Sequence, residues 1–560
     1  MNIIILANKS NQYGLNKDVA GIRKVLGGYS VAHCDPLEPP VAADILIHLE
    51  VPAYGWAPWG RVNIIMVNPE HWVPAWDIYL PKFDVVIVRD KHAEALFSEK
   101  SDNVVYIPWG VSPRELESPA ASKNEFIWVL AGSVNKRAYV STLLDAWKPS
   151  YPNLTITTTA AFDVSGVPDN VTIINKDLNV SERQIFNSFK GHICCSQAEG
   201  FGYTAAEAEQ NGSFAILNSL PCYVNDYSTS TGVAFLPSRL ENGLRDVGSD
   251  IGPALDAAVK SFTLFTDAES RVRKAESKNR WLNFYNKFAT VIKDYVGILK
   301  SQAPPKPLPP RLVVCPQISI VTLIHNRKKF FDLACHSIMI SDYPKDKIEW
   351  IIVDDSDDPA EQNSDMIVGV ANSTTAFKIT YVPLTGKRPI SDKRNLGVDK
   401  ATSNIILFMD DDDHYPETSI RRRVGWLTGH PWNPKAVACT TIACYDLVKG
   451  ISAVNVPPMD IPLEQRVSEA TLTFYKSWWV EKPFPKGVQV GEGEGFLIGR
   501  AKDILEMPPQ QIIVAFSHGR NVSSRRVPSG ADVTPGCFWG FQKEFLVFIH
   551  GLAGISVVQS

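Results

Sequence analysis

Five prolines fall within the eight residues Ala303-Pro304-Pro305-Lys306-Pro307-Leu308-Pro309-Pro310, near the middle of the chain. So dense a run lacks the backbone donors a helix or sheet ladder needs and favours extended polyproline geometry, so no regular element crosses it. The chain has 560 residues, whereas a single hydrophobic core stops growing at roughly 250–300. The run therefore reads as a spacer between separately cored units: residues 1–302, a linker over 303–317, and residues 318–560. Just before it, Trp281, Phe284, Tyr285, Phe288, Ile292, Tyr295 and Leu299 recur at helical spacing and predict a long amphipathic helix that closes the first half. Just after it, Ile318 to Leu323 predicts a strand.

Within the first half, short apolar runs alternate with longer mixed segments: Ile3 to Leu6, Ile45 to Leu49, Ile64 to Val67, Val85 to Val88, Phe126 to Leu130, Ile193 to Cys195 and Phe214 to Leu217. Such alternation predicts parallel sheets covered by helices. The polar stretch Ser112 to Asn124 separates two such lobes, about 1–118 and 119–302, with a cleft between them. Hydrophobic residues at 45% and charged residues at 21% suit a globular chain and exclude a disordered or fibrous one. A net charge of -4 supplies no field for nucleic acid, so an anion has to be bound locally. Nine cysteines without metal-ligand spacing suggest reduced thiols and a cytoplasmic location. The start shows no secretory leader. No apolar run reaches the ~18–20 residues that spanning requires. The longest, Phe545 to Val558, predicts a terminal helix, with a peripheral membrane contact as the alternative.

The segment from Cys195 to Ala208, CSQAEGFGYTAAEA, runs from an apolar strand through a glycine-bearing turn into an alanine-rich helix. Gly200 and Gly202 let backbone amides approach a ligand closely. A helix starting near Tyr203 aims its free N–H groups and positive dipole at a diphosphate. Glu199 sits in the loop and Glu207 about one turn into the helix, spaced to accept from two sets of hydroxyls. The segment resembles the Glu-x7-Glu signature of retaining glycosyltransferases with the GT-B fold, family 4 above all, over roughly residues 1–300. The resemblance implies that Glu199 touches the donor sugar as the catalytic carboxylate and Glu207 the nucleoside ribose, with Gly200, Phe201 and Gly202 at the phosphates. Gly14, in Tyr13-Gly14-Leu15, matches the family's first glycine loop. Lys136 and Arg137, in Gly132-Ser133-Val134-Asn135-Lys136-Arg137, supply the phosphate charge where the family carries an arginine near Ser133. Glu70-His71-Trp72, after the third strand, is a further candidate for the cleft.

The second half carries Asp410-Asp411-Asp412-Asp413-His414 directly after the apolar run Ile405 to Met409. Carboxylates at the carboxyl edge of a buried strand lie where open α/β sheets bind ligands, and hard oxygen ligands suit Mg²⁺ or Mn²⁺ shared with substrate phosphates. On an extended chain Asp410 and Asp412 point the same way. Two more strands end in polar clusters, at Ile324-His325-Asn326-Arg327 and at Asp354-Asp355-Ser356-Asp357-Asp358. Lys387 to Gly397 opens a helix with basic residues.

Together these features resemble the inverting family 2 glycosyltransferases of GT-A fold, over roughly residues 318–525. The resemblance implies a nucleoside site at Asn326, Asp354 and Asp355, donor contacts at Arg394, Asn395 and Asp411, and a metal site at Asp410 and Asp412 in the family's Asp-x-Asp-Asp form, with His518 a late metal or phosphate ligand. The base that takes the acceptor proton comes in the family from a Glu-Asp pair. Here the corresponding place reads Gly491-Glu492-Gly493-Glu494-Gly495, which leaves Glu492 and Glu494, with Glu494 slightly favoured. Trp478-Trp479 is either an acceptor-stacking wall or packing.

The expected architecture is thus α/β: twin Rossmann-like GT-B domains followed by a mixed α/β GT-A domain. The expected function is a bifunctional transferase moving sugars from nucleotide-sugar donors to a glycan or glycoconjugate acceptor, with Mn²⁺ or Mg²⁺ in the second module and no cofactor in the first. The alternative is a single active second module with a first module that only recognises glycan or nucleotide. A nucleotidyltransferase is disfavoured, because Ile318 to Arg327 lacks the glycine of its phosphate loop.

Overall fold

The computed structural model describes residues 1–560 apart from 12–13, 37, 39, 54, 114–121, 160–165, 177–183, 242–243, 247–249, 303–309, 374–375, 459, 519–540 and 556–560. The expected glycine-loop residue Tyr13, linker residues 303–309 and the centre of the Ser112–Asn124 spacer lie outside the described residues.

The first sheet contains β1 (Asn2–Leu6), β2 (Ser30–Cys34), β3 (Ala43–Leu49), β4 (Gly60–Met66), β5 (Val85–Val88) and β6 (Val104–Tyr106) in the order β2-β1-β3-β4-β5-β6. Every pairing in it is parallel. Runs such as VVIV in β5 are buried throughout, as a sheet covered on both faces requires. The second sheet contains β7 (Lys123–Ala131), β8 (Leu154–Thr158), β9 (Val171–Asn175), β10 (Phe189–Ile193), β11 (Phe214–Asn218) and β12 (Val233–Leu236) in the order β12-β11-β10-β7-β8-β9. It too is parallel. A hairpin, β13 (Arg239–Glu241) and β14 (Leu244–Asp246), follows it.

The strand order reverses between β1 and β3 in the first sheet and between β7 and β10 in the second. Ligands of open α/β sheets bind in the crevice beyond the strand ends at such points. Both glycine-bearing segments of the first module follow strands that flank a reversal.

The amphipathic helix expected before the proline run spans Asp267–Ser301, begun by a capping box of Thr266 and Glu269. Its apolar face from Trp281 to Leu299 shares one buried cluster with Ile3, Ile5 and Ile45, so the helix leaves the second lobe and completes the core of the first. The chain at Gly110 crosses it so closely that a Cβ there would sit 2.6 Å from the Trp281 nitrogen.

The second module is built on a mixed sheet of β15 (Ile318–Ile324), β16 (Ile348–Asp354), β17 (Lys378–Pro383), β18 (Ile405–Phe408), β19 (Ala436–Ala438), β22 (Thr473–Tyr475) and β23 (Ile504–Glu506), ordered β17-β16-β15-β18-β22-β19-β23. Strands β15 to β18 are parallel neighbours, and β22 runs antiparallel between β18 and β19. A smaller sheet of β20 (Ile442–Asp446), β21 (Ile451–Asn455) and β24 (Val514–Ser517) flanks it. The helix Ile390–Lys400 lies on β15 and β16, seated by Gly397, where a Cβ would fall 2.4 Å from Val321 Cγ1. The terminal helix Lys543–Ala553 packs Phe545 and Ile549 among Phe330, Leu333 and Phe516. Among the described residues no helix is long and apolar enough to cross a membrane, and the eight described cysteines are free thiols.

Three expectations need correction. The strand expected over Ile193 to Cys195 is Phe189–Ile193, because Gly191 and His192 are buried strand residues that an apolar-run criterion passes over, while Cys194 and Cys195 already belong to the loop. Strands β2, β8 and β9 mix polar with apolar residues and were not expected, and β6 (VVY) and β12 (VAFL) are short apolar runs that the expectation left out. The alternation expected for Asp410 and Asp412 fails, because β18 ends at Phe408 and a turn begins at Asp411.

Candidate functional site

In the first module the loop 194–202 joins β10 to the helix Tyr203–Asn211, whose N-cap Gly202 has φ +81°. A side chain on Gly202 would meet Tyr223 Cε1 at 2.3 Å, and one on Gly200 would meet Asn68 Nδ2 at 2.5 Å. Asn68 follows β4, so the loop is pressed against the opposite lobe. Ser196 N donates to Asn218 Oδ1 at 3.0 Å, which ties the loop to the end of β11.

The expected residues converge here, with contacts that the sequence did not reveal. Ser133 caps the short helix Val134–Arg137, and Lys136 Nζ from that helix pairs with Glu199 Oε1 at 3.2 Å. Arg137 follows it, half-buried. Glu207 Oε1 pairs with Lys17 Nζ at 2.5 Å, from the helix Gly14–Val25 of the first lobe. Gly14 starts that helix, and a Cβ there would sit 3.6 Å from the Tyr203 ring. Beside these pairs, Tyr203 donates its hydroxyl to Asp18 Oδ1 at 2.5 Å, and Arg89 Nη2 donates to Asp18 Oδ2 at 2.8 Å. Burial raises the Asp18 carboxyl, with Arg89 and Tyr203 opposing. Phe201 is buried against Tyr203 and Trp109, so only its backbone faces the crevice.

Glu70 accepts from Asn135 Nδ2 at 3.1 Å, across the cleft, while Glu50 Oε1 accepts from Asn68 at 2.9 Å. Burial raises the Glu70 carboxyl, His71 lowers it, and the nearby Glu199 and Glu50 carboxylates raise it further. Three carboxylates from both lobes thus meet at one mouth, an arrangement that suits a hydroxyl-rich ligand. His71 itself is exposed.

In the second module, Asp354 ends β16 and accepts from Ser356 N at 2.9 Å and Tyr381 OH at 3.0 Å. Asp355 is buried and held by Lys393 Nζ at 2.7 Å, Arg388 N at 2.7 Å and His325 Nδ1 at 3.2 Å. Asn326 adopts φ +50°, and its Oδ1 accepts from the backbones of Asp357 and Asp358, both at 3.1 Å. It therefore ties the loop after β15 to the loop after β16.

The acidic loop is held by a cation from the protein itself. Arg327 pairs with Asp411 Oδ1 at 2.8 Å through Nη2 and with Asp412 Oδ2 through Nη1. His518 Nε2 lies 3.1 Å from the same Asp412 oxygen, and Asp413 Oδ1 accepts from Phe516 N at 3.1 Å. Burial pushes the Asp411 carboxyl up to about 8, with Arg327 opposing and Asp412 and Asp410 adding to the rise. Asp412 is held below the usual range, its burial outweighed by Arg327 and His518. Among the described residues no three His, Cys, Asp or Glu side chains form a ready cage for a metal. Asp412 and His518 still offer an oxygen and a nitrogen donor at one point, beside Asp410. That fits a hard divalent ion whose remaining ligands come from a bound diphosphate.

Arg394 and Glu492 form a buried pair, Nε to Oε1 at 3.0 Å, and Asp410 lies within the electrostatic reach of both. Arg394 Nη1 is buried with no hydrogen-bond partner, as expected of a donor that awaits an anion. Glu494 faces elsewhere and accepts from Gln465 Nε2 at 2.8 Å. Asn395 does not reach this cluster: its Oδ1 accepts from Trp479 Nε1 at 2.9 Å and Phe484 N at 3.0 Å, and its Nδ2 donates to Phe484 O at 2.9 Å. Trp478 is buried against Phe474 and Phe496 as packing, under the Arg500 guanidinium. The sequence reading missed Arg327, Lys393, His325, Glu50 and Asn135. Arg327 sat inside a quoted cluster, and its sign opposite four aspartates was the available signal.

Residues 319–455 match the family model Glycosyl transferase family 2, a span from β15 to β21 that includes Arg394 and the acidic loop and stops short of Glu492 and His518. No curated protein matches the chain. Similar solved structures include a mannosyltransferase from Pyrobaculum calidifontis in complex with GDP-Man and Mn²⁺, 17% identical over 40% of this chain and 64% of that one, with a TM-score of 0.29. Another is S. aureus TarS 1-349 in complex with UDP-GlcNAc, 18% identical over 38% and 62%, with a TM-score of 0.29. This chain spans less than two thirds of the length of either. A third is the sucrose-phosphate synthase from Thermosynechococcus elongatus, 13% identical over 54% of this chain and 100% of that one, with a TM-score of 0.40. The architecture itself, twin parallel sheets of GT-B type and then a mixed GT-A sheet, is read from the strand orders above.

Proposed function

We propose that this protein transfers sugars from nucleotide-sugar donors at two sites, the first retaining and metal-independent, the second inverting and metal-dependent, on a glycan or glycoconjugate acceptor. The observation that carries the reading is the buried pair of Arg394, inside the family 2 span, and Glu492, beyond it, beside Asp410 just past the end of β18, with one guanidinium nitrogen that has no hydrogen-bond partner.

In the second site Asp354 and Asp355 border the nucleoside place and Asn326 fixes the loops around it. Arg394 meets the donor's diphosphate. Asp412 and His518 would hold Mn²⁺ or Mg²⁺, which when bound stabilises the departing diphosphate charge. Glu492 then takes the acceptor proton, in preference to Glu494, because it alone of the two lies with Arg394 and Asp410. In the first site Glu199 and Glu207 receive sugar and ribose hydroxyls, with Lys136, Arg137 and the amides around Gly202 at the phosphates.

A second reading has support of its own. Both first-module glutamates are already paired with lysines, which suits a module that recognises a ligand without turning it over. Nucleoside diphosphate release from UDP-, GDP- and dTDP-sugars, by the full chain with Mn²⁺ or with EDTA, separates the two. Glu199→Gln should remove the EDTA-resistant release and Glu492→Gln the EDTA-sensitive release. Absence of any EDTA-resistant release leaves a recognition module.

A further inference from the structure

The segment Pro74–Lys82, a 3-10 helix that follows β4, belongs in sequence to the first module yet packs on the second. Tyr79 is 1% exposed. Its hydroxyl donates to Glu506 Oε1 at 3.0 Å and accepts from Arg466 Nη2. Arg466 and Glu506 pair at 3.4 Å, with side chains 2% and 5% exposed. Three residues on, Lys82 Nζ donates to the Ile504 carbonyl at 3.1 Å, and Ile78 packs with the cluster that contains Leu463 and Val467. A residue of the first module thus covers the charge pair of the second and hydrogen-bonds both of its members.

Arg466 ends the short helix Leu463–Arg466, which packs against the helix Glu492–Leu497. From that stretch Gln465 donates to Glu494, and Glu469 lies so close to Gly493 that a Cβ there would fall 2.1 Å from its Oε1. Residues 463–471 are therefore the wall against which the Glu492 helix rests. In the other direction, Glu70, four residues before Pro74, reaches across the first module's cleft to Asn135.

We propose that Tyr79 is a positioning residue for the second module: by joining Arg466 and Glu506 it fixes the wall behind the helix that carries Glu492, so that the second site is complete only with the first module docked. The inference rests on the reading of the second module as a sugar transferase. Removing the hydroxyl leaves a buried arginine and glutamate short of a shared partner, and such pairs tolerate little loss of hydrogen bonding. The wall then loosens, and a small displacement of a reacting group suffices to slow transfer. A second half cut free at the linker would lose turnover although it keeps every motif residue.

The test uses the full chain with Tyr79→Phe, and with Glu506→Gln as a second entry into the same network. Three quantities are read: EDTA-sensitive nucleoside diphosphate release, the Kd of UDP and GDP with Mn²⁺ by calorimetry, and amide hydrogen exchange. Both variants should lower kcat about tenfold or more while nucleotide Kd stays within about twofold, and amides of 463–471 and 492–497 should exchange faster. Unchanged exchange in both segments, or unchanged kcat beside an active wild type, overturns the proposal. If the wild type itself shows no EDTA-sensitive release, the transferase reading falls, and the exchange result alone decides whether the first module braces the second.

Discussion

Arg327 shows how one side chain settles the state of an acidic loop. Four consecutive aspartates at a buried strand end repel one another, and the guanidinium across Asp411 and Asp412 is the counter-charge that offsets their burial. Replacing one partner of a buried pair costs about 3–5 kcal/mol, because the other charge is left uncompensated. Arg327→Gln should therefore lower the thermal midpoint in EDTA, and Mn²⁺ should raise the variant's midpoint by more than the wild type's. Equal shifts would mean that the arginine and the ion do not share the aspartates. The acidic loop was legible as a site because four charges after an apolar strand have few structural uses, whereas its internal geometry was not, since a turn replaced the extended chain. Asn395 is the opposite case. Its neighbours in the motif suggested a donor contact, but its amide is spent on Trp479 and Phe484, and nothing in a linear sequence says which way a helix residue faces until its packing partners are known.

The helix Asp267–Ser301 is the element that the sequence announced most clearly. A buried residue every three or four positions over so long a stretch leaves no strand alternative. Its destination was not legible, because amphipathicity says that a face is covered and not by what. Phe288, wholly buried between the helix and the first sheet, tests the packing. Phe288→Ala should destabilise by about 3–5 kcal/mol, read as a lower denaturant midpoint, with the loss falling on the lobe built from β1 to β6. The strands divide in the same way. The unbroken apolar runs in β1, β5 and β18 stood out, whereas the edge strands β2 and β9 are half-exposed and mixed, so their pattern resembles that of a loop.

Across the whole molecule the joint between modules left no signal in the sequence, since Trp59, whose ring centre lies 6.0 Å from that of Trp426, and Tyr79 look like ordinary core residues. His430 sits in that joint, its Nε2 3.4 Å from the Pro58 carbonyl, and its imidazole is pushed down to about 4 by burial, with Pro58 opposing and Lys82 adding. In the unfolded chain it protonates near ~6.5. Between those values the unfolded chain holds a proton that the folded chain does not, so stability is full above about 6.5 and falls as pH drops towards 4, by up to ~1.4 kcal/mol per pH unit. His414, pushed down to about 4, and His48, to about 3, act with the same sign. Asp411, pushed up to about 8 by burial, acts with the opposite sign, so the check compares proteins: the thermal midpoint of His430→Gln relative to the wild type should be higher at pH 5 than at pH 7.

The return of the Asp267–Ser301 helix to the first sheet also sets an order of maturation on the ribosome. The strands of the first lobe emerge first, yet their apolar face stays open until residues 281–299 have been made, by which time every strand of the second lobe has already left the tunnel. The lobe that begins first finishes last, and during that interval it is the natural client of a chaperone. A chain stopped after residue 266 should accordingly aggregate, while one stopped after 302 should stay in solution.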